Sequence, residues 1–325
     1  MIERPPGPPG GATGEAVSHS AEAPLAVGVD VGGTKIDARL VGAQGDVLAH
    51  ARSATPAAGG PTVVAEIATL VAAVTADRNA AELAGVGIGA AGIIDPETGD
   101  VLDATDAIPA WKGVRLAADV AAQTGLRARA INDVHAHALG ESVLAGLPRG
   151  ASLLLIAVGT GVGGAFVSDG EVVRGTHGAA GHFGHVASPH AVGLVCPCGG
   201  RGHAEASGSG PAILETYRRL GGTAVDTESV AALAQDGDER AQSAVGLSAT
   251  TVGCLVGGLV NSFDPDLVVV SGGASRIPGW WQTFERVARQ EVLPLLASVA
   301  LRPSADPAAA CIGAASLVFG KEAPV

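Results

Sequence analysis

The sequence has few basic residues: 20 Lys and Arg stand against 32 Asp and Glu, which gives a formal net charge of −12 over 325 residues. Nucleic-acid phosphates attract an excess of Lys and Arg, so this balance argues against a nucleic-acid partner and weakly against an anionic membrane surface. Backbone N–H groups and a metal ion can still hold the phosphates of a small nucleotide. The charge therefore leaves small anionic ligands open.

Long apolar runs and cysteines are scarce as well. Hydrophobic residues make up 47% of the chain, but glycine interrupts every long apolar stretch, so none reaches the roughly 20 residues that cross a bilayer. The first 24 residues lack the apolar segment of a signal peptide, and their Pro, Gly and Ser content predicts a disordered N-terminal arm. With four cysteines, we expect a cytoplasmic protein with no membrane span and at most one metal site.

Glycine is abundant, with 48 residues, and the glycines cluster in turns that follow apolar strands. The chain begins with a strand-rich segment near residue 25, continues with alternating helices and strands, and restarts the same order near residue 152. This order predicts an α/β architecture with an internal duplication. If the two halves face each other across a cleft, their first turns face one ligand from opposite sides.

Two of the glycine turns have the composition of phosphate-binding loops. Glycine lets the backbone approach an anion closely and point N–H groups at it, and threonine adds a hydroxyl donor. Neither turn is a P-loop, and the second is followed by a strand, which removes the context of a dinucleotide fold. A pair of plain β-hairpins is the alternative. The candidate residues are Asp30, Gly32, Gly33, Thr34 and Lys35 of "DVGGTK" and Gly159, Thr160, Gly161, Gly163 and Gly164 of "GTGVGG".

Asp133 lies where a predicted strand ends and a helix begins. Aspartate is a common helix N-cap, and a carboxylate at a strand end facing a cleft is also suited to act as a general base. The residue alone leaves both roles open. The nearby His135 and His137 are two positions apart and do not share a helix face, so they make a poor metal pair.

Cysteine and histidine cluster in "GHFGHVASPHAVGLVCPCGGRGHAE". Cys196, Cys198 and His203 lie within eight residues, and thiolate and imidazole are the ligands that zinc prefers in sets of four. The upstream candidates for the fourth ligand are His182, His185 and His190. The alternative is a reduced, metal-free Cys-x-Cys pair in a flexible loop.

These motifs together resemble the ROK family of repressors and sugar kinases, within the hexokinase–actin superfamily. "DVGGTK", "NDVHAHALGE", "GTGVGG", "GHFGH" and "CPCGGRGHAE" appear in the family's order and spacing, from about Leu25 to about Gly320. The resemblance implies two ribonuclease H-like (actin-like ATPase) lobes around a central cleft, with a small zinc-stapled loop. The expected division is a disordered arm over 1–24, a small lobe over 25–132 plus a C-terminal helix over 311–325, and a large lobe over 133–310 with the zinc loop over 185–205.

The resemblance also implies roles for single residues. Asp133 matches the catalytic aspartate, and the two turns match the phosphate loops that hold ATP with Mg²⁺. "SGGAS", with Gly272 and Gly273, matches a turn near the nucleoside. Structural Zn²⁺ is expected on His185, Cys196, Cys198 and His203, with His190 as the competitor of His185. The matching sugar-binding positions are Asn132, Asp106, His182, His185 and Glu205.

Three positions depart from the family pattern. The family usually carries Glu at His182 and Cys at His203, and many members that phosphorylate glucose carry Asn at Asp106. We expect the zinc site to survive, because imidazole also binds zinc. The glutamate contacts sugar hydroxyls in the family, so the substitution at residue 182 bears on substrate choice.

The resulting prediction is an ATP-dependent kinase for the 6-hydroxyl of a hexose or N-acetylhexosamine, with N-acetylmannosamine or N-acetylglucosamine ahead of glucose. A glucokinase is the alternative substrate choice, and a non-catalytic sugar-binding regulator is the alternative of another class. A polyphosphate donor would need a basic groove, which this acidic sequence does not offer. The resemblance further implies a dimer or tetramer. From the acidic net charge and the lack of a membrane-spanning apolar run, we expect neither nucleic acid nor a membrane as a partner.

Overall fold

A computed structural model describes residues 24–304 and 306–319. Nearly all of the predicted arm over 1–24, and residues 320–325 of the predicted C-terminal helix, lie outside these residues. The described strands are β1 Leu25–Val31, β2 Lys35–Gly42, β3 Val47–Ala54, β4 Leu83–Ala90, β5 Ile93–Ile94, β6 Val101–Asp103, β7 Ala128–Asn132, β8 Ser152–Val158, β9 Val162–Ser168, β10 Glu171–Val172, β11 Leu267–Ser271 and β12 Ala300–Pro303. The α-helices are α1 Pro61–Val74, α2 Leu116–Thr124, α3 Asp133–Leu144, α4 Glu205–Gly208, α5 Gly210–Arg219, α6 Thr227–Gln235, α7 Glu239–Phe263, α8 Trp280–Glu291 and α9 Ala309–Ser316.

The strands form two five-stranded sheets with the same topology. The first sheet has the order β3-β2-β1-β4-β7, and the second has the order β10-β9-β8-β11-β12. In each sheet the first three strands along the chain pair antiparallel, and the remaining two run parallel to the first. This repeat confirms the predicted duplication. The sequence pattern did not indicate the two-stranded hairpin of β5 with β6 or the edge strand β12.

Helices cover both faces of each sheet because the central parallel strands are apolar on both faces. Helices α1 and α2 pack on the outer face of the first sheet, around buried Ile67, Ile88 and Trp111. The helices α5 to α8 pack on the outer face of the second, around Ile156 and Trp280. Between the sheets lie α3 and α9.

The inner helices α3 and α9 cross at very close range. A side chain at Gly140 of α3 would collide with the carbonyl of Ala309, and one at Gly313 of α9 would collide with the carbonyl of Ala136. Only glycine lets the two backbones meet in this way. Because α3 also contacts strands of both sheets, the close crossing fixes its first residue, Asp133, between the two halves of the molecule.

Helix α7 is long and apolar enough to cross a membrane by length and composition. It packs instead against α5, α6 and α8, and 56% of its most apolar window is buried within the protein. Its N-terminus is capped by Asp238, whose carboxylate accepts hydrogen bonds from Arg240 N and Ala241 N. These contacts are those of a core helix.

Candidate active site

The first glycine turn joins β1 to β2 and is held from one side by a threonine. Gly32 N donates to Lys35 O at 3.0 Å, Thr55 Oγ1 donates to Gly32 O at 2.7 Å, and Thr55 N donates to Thr34 O at 3.1 Å. Gly33, Thr34 and Lys35 are exposed. The turn is therefore rigid on its inner side and open to a ligand on its outer side.

The second glycine turn joins β8 to β9, the matching place in the second sheet. Gly159 N donates to Gly161 O at 2.9 Å, which closes the turn, and Thr160 is exposed. At the end of the turn, Val162 N donates to the carboxylate of Glu205 at 2.8 Å. Glu205, predicted to bind sugar, therefore also contacts a predicted phosphate loop, a contact that the sequence did not indicate.

Two glycines near the second turn have different surroundings. Gly164 is buried in β9, where its N–H donates to Gly181 O at 2.8 Å and a Cβ atom would lie 2.7 Å from the Phe183 ring. Packing alone therefore requires a glycine at residue 164. Gly163 lines a small cavity between the two halves together with His182.

The third turn, after β11, lies beside the end of β8. Gly272 has φ +98°, and a side chain there would collide with the carbonyl of Val158, the last residue of β8. Ser275 Oγ donates to Gly272 O at 2.8 Å, and Gly273 faces open space. The second and third predicted ligand turns are thus adjacent at one edge of the second sheet.

Asn132, not Asp133, caps helix α3. Its Oδ1 accepts hydrogen bonds from Val134 N at 3.0 Å and His135 N at 3.2 Å, while its Nδ2 donates to Gly92 O at 2.9 Å. Because the cap is supplied by its neighbour, the N-cap interpretation of Asp133 is not needed, although its Oδ1 accepts from Val134 N at 2.9 Å.

The carboxylates of Asp30 and Asp133 lie close enough to repel each other. Burial, and next the charge of Asp133, raise the pKa of Asp30 to about 6, while Lys35 acts in the opposite direction. Burial also raises the pKa of Asp133. A pair of neighbouring carboxylates with raised pKa values is typical of a site that receives a cation or a proton.

His137 lies near this carboxylate pair, and the sequence analysis did not select it. Its Nε2 lies 3.0 Å from Ser304 Oγ and 3.4 Å from Glu141 Oε1, and a proton on this ring would favour the ionised forms of Asp30 and Asp133. His137 follows Asp133 by four residues, so the two side chains lie on one face of the helix. This spacing is the sequence signal that could have indicated His137.

Two histidines line the small cavity. Burial lowers the pKa of His135, whose neutral ring donates from Nε2 to Ala180 O at 2.8 Å. His182 is exposed, and its Nδ1 lies 2.8 Å from Ala179 O. Since a carbonyl only accepts, Nδ1 carries a hydrogen and donates it to this oxygen. Asp106, predicted to bind sugar, is exposed in the loop after β6.

The predicted zinc ligands converge on one point. One ligand atom from each of His185, Cys196, Cys198 and His203 lies within 4.8 Å of the other three. Cys196 Sγ is 3.6 Å from His185 Nδ1, and Cys198 Sγ is 3.3 Å from His203 Nδ1. Tetrahedral zinc holds sulfur and nitrogen ligands about 3.5 Å apart, so the four residues fit the ion.

His190, the competing ligand, lies elsewhere. Its Nε2 is 3.5 Å from the sulfur of Cys254 on α7. It is not among the four residues whose ligand atoms converge. The structure therefore brings His185 into the cluster and leaves His190 outside it, a choice that spacing along the chain did not make.

Comparisons with known proteins identify the family. The ROK family model matches residues 26–321, and the chain belongs to this family. It is 34% identical over 271 residues to an N-acetylmannosamine kinase of Escherichia coli, covering 81% of this chain and 88% of the relative. It is 31% identical over 268 residues to a glucokinase of Streptomyces coelicolor, covering 77% of this chain and 82% of that relative. The crystal structure of a ROK family glucokinase from Streptomyces griseus, in complex with glucose and AMPPNP, superposes with a TM-score of 0.72 at 29% identity, covering 90% of this chain and 98% of that one.

Proposed function

We propose that the protein is a sugar kinase that transfers the γ-phosphoryl group of ATP to the 6-hydroxyl of a hexose or N-acetylhexosamine. The observation that supports this function best is the carboxylate pair, Asp30 and Asp133, placed between two sheets that each carry a glycine turn. The named kinases among the relatives, and the AMPPNP bound to the related glucokinase, support the same reaction class.

In the proposed mechanism, the two glycine turns hold the donor phosphates through backbone N–H groups and the hydroxyls of Thr34 and Thr160. Asp133 orients the sugar hydroxyl and accepts its proton as the oxygen bonds to the γ-phosphorus, while the bond to the bridging oxygen breaks and ADP leaves. Asp30 would hold Mg²⁺, which would supply charge neutralisation on the phosphates. Gly272 and Gly273, beside the second turn, would contact the nucleoside.

The test of this function is ADP release with a panel of sugars: glucose, mannose, N-acetylglucosamine, N-acetylmannosamine and N-acetylgalactosamine. We expect one ADP for each sugar 6-phosphate formed, and no release with the matching 6-deoxy sugar. Sugar binding by calorimetry without ADP release from any of them would favour the non-catalytic regulator. Turnover with polyphosphate but not with ATP would overturn the choice of donor.

Substrate choice is proposed to depend on His182, and N-acetylmannosamine or N-acetylglucosamine is the preferred substrate, with glucose as the alternative. Because Nδ1 donates to Ala179 O, the neutral ring offers a sugar one acceptor and two apolar ring edges. A glutamate would offer a charged, two-oxygen acceptor for paired hydroxyls. The acetamido methyl group fits the imidazole edge better than a carboxylate.

Exchange of His182 for glutamate should shift the selectivity. Charged hydrogen bonds are worth roughly 1.5–3 kcal/mol, so the ratio of kcat/KM for glucose over N-acetylmannosamine should rise about tenfold or more in His182→Glu. His182→Gln, which stays neutral, is the matched control and should change the ratio much less. An unchanged ratio in His182→Glu would show that residue 182 is not the selector.

The proposed zinc site is structural, since four protein ligands leave no open position for water. We expect one Zn²⁺ per chain in the wild type by elemental analysis. Loss of stoichiometric zinc is expected in His185→Ala and His203→Ala, whereas His190→Ala should retain it. Retention in His185→Ala with loss in His190→Ala would reverse the ligand assignment.

Three further properties are proposed. We propose a homodimer or homotetramer, which light scattering on purified protein tests directly. We also propose a cytoplasmic location, which is consistent with four free cysteines. The division into a small lobe over 25–132 plus the C-terminal helix and a large lobe over 133–310 is likewise proposed, with the sheets and α9 as its support.

A further inference from the structure

The carboxylate of Glu205 touches two sites at once. Its Oε2 accepts the N–H of Val162 at 2.8 Å, at the end of the second glycine turn. Its Oε1 lies 3.7 Å from the sulfur of Cys196, a member of the metal-ligand cluster. One side chain thus connects the proposed zinc site with the proposed phosphate loop.

The shape of the turn depends on this carboxylate. A Cβ atom at Gly161 would lie 2.6 Å from Glu205 Oε2, so the carboxylate occupies the space beside the glycine backbone. At the other end of the turn, Gly159 O accepts the N–H of Gly210 at 2.9 Å. Both ends of the turn are therefore held by the same short segment, 205–210.

The position of this segment is set in turn by the metal-ligand loop. Ala204 N donates to Val186 O at 2.9 Å, and Ser188 N donates to Gly202 O at 2.8 Å, so the two ends of the loop pair with each other. The ligands His185 and His203 lie on these two ends. A metal that joins them fixes the residue two positions after His203, which is Glu205.

We propose that Glu205 is a positioning residue that couples metal occupancy to nucleotide binding, through its hydrogen bond to Val162 N beside Gly161. This inference rests on the proposed function, because it takes the second glycine turn as a phosphate loop. When zinc joins the loop ends, Glu205 holds the turn with its N–H groups directed outward, and the turn needs no further ordering to receive phosphates. Without zinc, the segment loosens and the turn loses its support.

Coupling of this kind is reciprocal: if zinc raises nucleotide affinity by some factor, nucleotide raises zinc affinity by the same factor. We expect a factor of about ten, the scale of one hydrogen bond to a charged group. The two affinities can be measured separately, and neither measurement requires sugar or turnover. A role of Glu205 in sugar binding therefore does not enter either result.

The experiment is calorimetric titration of Mg²⁺·AMPPNP, without sugar, into wild-type protein that is metal-free or loaded with one Zn²⁺ per chain. Zinc loading should lower the Kd about tenfold in the wild type. In Glu205→Ala the Kd values of the metal-free and zinc-loaded forms should agree within twofold. Glu205→Gln keeps an acceptor without the charge, so zinc should lower its Kd by a factor between those of the wild type and Glu205→Ala. Glu228→Gln, an exposed first-turn glutamate of α6, is the control and should behave as the wild type.

Equal Kd values for the two wild-type forms, or a full zinc effect in Glu205→Ala, would overturn the coupling. If the metal-free form unfolds, zinc-loaded Glu205→Ala still tests the proposal. Its Kd for Mg²⁺·AMPPNP must be about tenfold higher than that of the zinc-loaded wild type, and an unchanged Kd contradicts the proposal. Chelator competition measures the zinc affinity with and without AMPPNP, and the nucleotide should raise this affinity by the same factor of about ten. Phosphorylation of a sugar with zinc-independent AMPPNP binding would overturn the coupling alone, whereas coupling without phosphorylation of any sugar would overturn the kinase function alone.

Discussion

Replacing Asp133 with asparagine should lower kcat by about 10²–10⁴-fold, the range typical of losing a general base. The two side chains have nearly the same size, and the cap of α3 is supplied by Asn132, so the fold should persist. The KM or Kd for the sugar should change little, because the amide still fills the same place. The measurement is single-turnover phosphoryl transfer at saturating ATP and sugar.

The matched control is Asp119→Asn, which changes another first-turn aspartate, on α2, whose ion-pair partner is Arg115. It should retain wild-type turnover. A second readout is the pH profile: the base must be ionised, so kcat/KM falls as pH drops through its pKa, which burial raises above the ordinary aspartate value. More than about a tenth of wild-type turnover in Asp133→Asn, with chemistry limiting, would contradict the assignment.

Replacing Asp30 with asparagine should have opposite effects on function and stability. Turnover with Mg²⁺·ATP should fall on the order of 10²-fold, because the metal loses a carboxylate partner. The metal-free protein should become more stable at neutral pH. Burial and Asp133 raise the pKa of Asp30 from 3.8 to about 6, so ionising this carboxylate disfavours the folded state.

The pH range of the stability gain follows from these pKa values. Below the unfolded-state value of about 4 the carboxyl is protonated in both states and carries no penalty. The penalty grows as pH rises and is complete above the folded-state value of about 6. Asp30→Asn should therefore gain on the order of 1–3 kcal/mol of unfolding free energy at pH 7.5 and little at pH 4.

Urea denaturation of the metal-free protein at the two pH values measures this gain. Asp95→Asn is the contrasting control, because backbone N–H groups of Thr98 and Glu97 lower the pKa of Asp95. That substitution should therefore give no gain at pH 7.5. An Asp30→Asn protein that is less stable than the wild type at pH 7.5 would show that the carboxylate is not under electrostatic strain.

The sequence by itself determined the duplicated fold, because the physical signals for it are local. Apolar strands that end in glycine turns recur at 25–35 and 152–164, and each is followed by helices of ordinary length. Helix ends also follow local signals: α2 ends at Thr124 before Gly125, which adopts a left-handed conformation, and α7 starts beside its capping Asp238. Short elements such as β12, "ALRP", have no periodic pattern and become strands only by pairing with β11.

The ligand set of the metal cluster could not be chosen from local sequence signals alone. The sequence supplied the ligand types, and the family resemblance favoured His185, but spacing allowed His190 equally. Only the fold decided between them, because pairing of the loop ends carries His185 to the cysteines, while His190 is turned toward Cys254.

The same limit applies to the proposed catalytic centre. Asp30 lies far from Asp133 in the chain, and the effect of one charge on the other depends on the fold, which holds α3 between the two sheets. The contact of Glu205 with the second glycine turn is likewise invisible in sequence, since the hydrogen bond from Val162 N spans 43 residues. Sequence patterns encode which faces are buried and where turns form, whereas contacts between distant segments, and hence pKa values and hydrogen-bond partners, depend on how the packed elements meet.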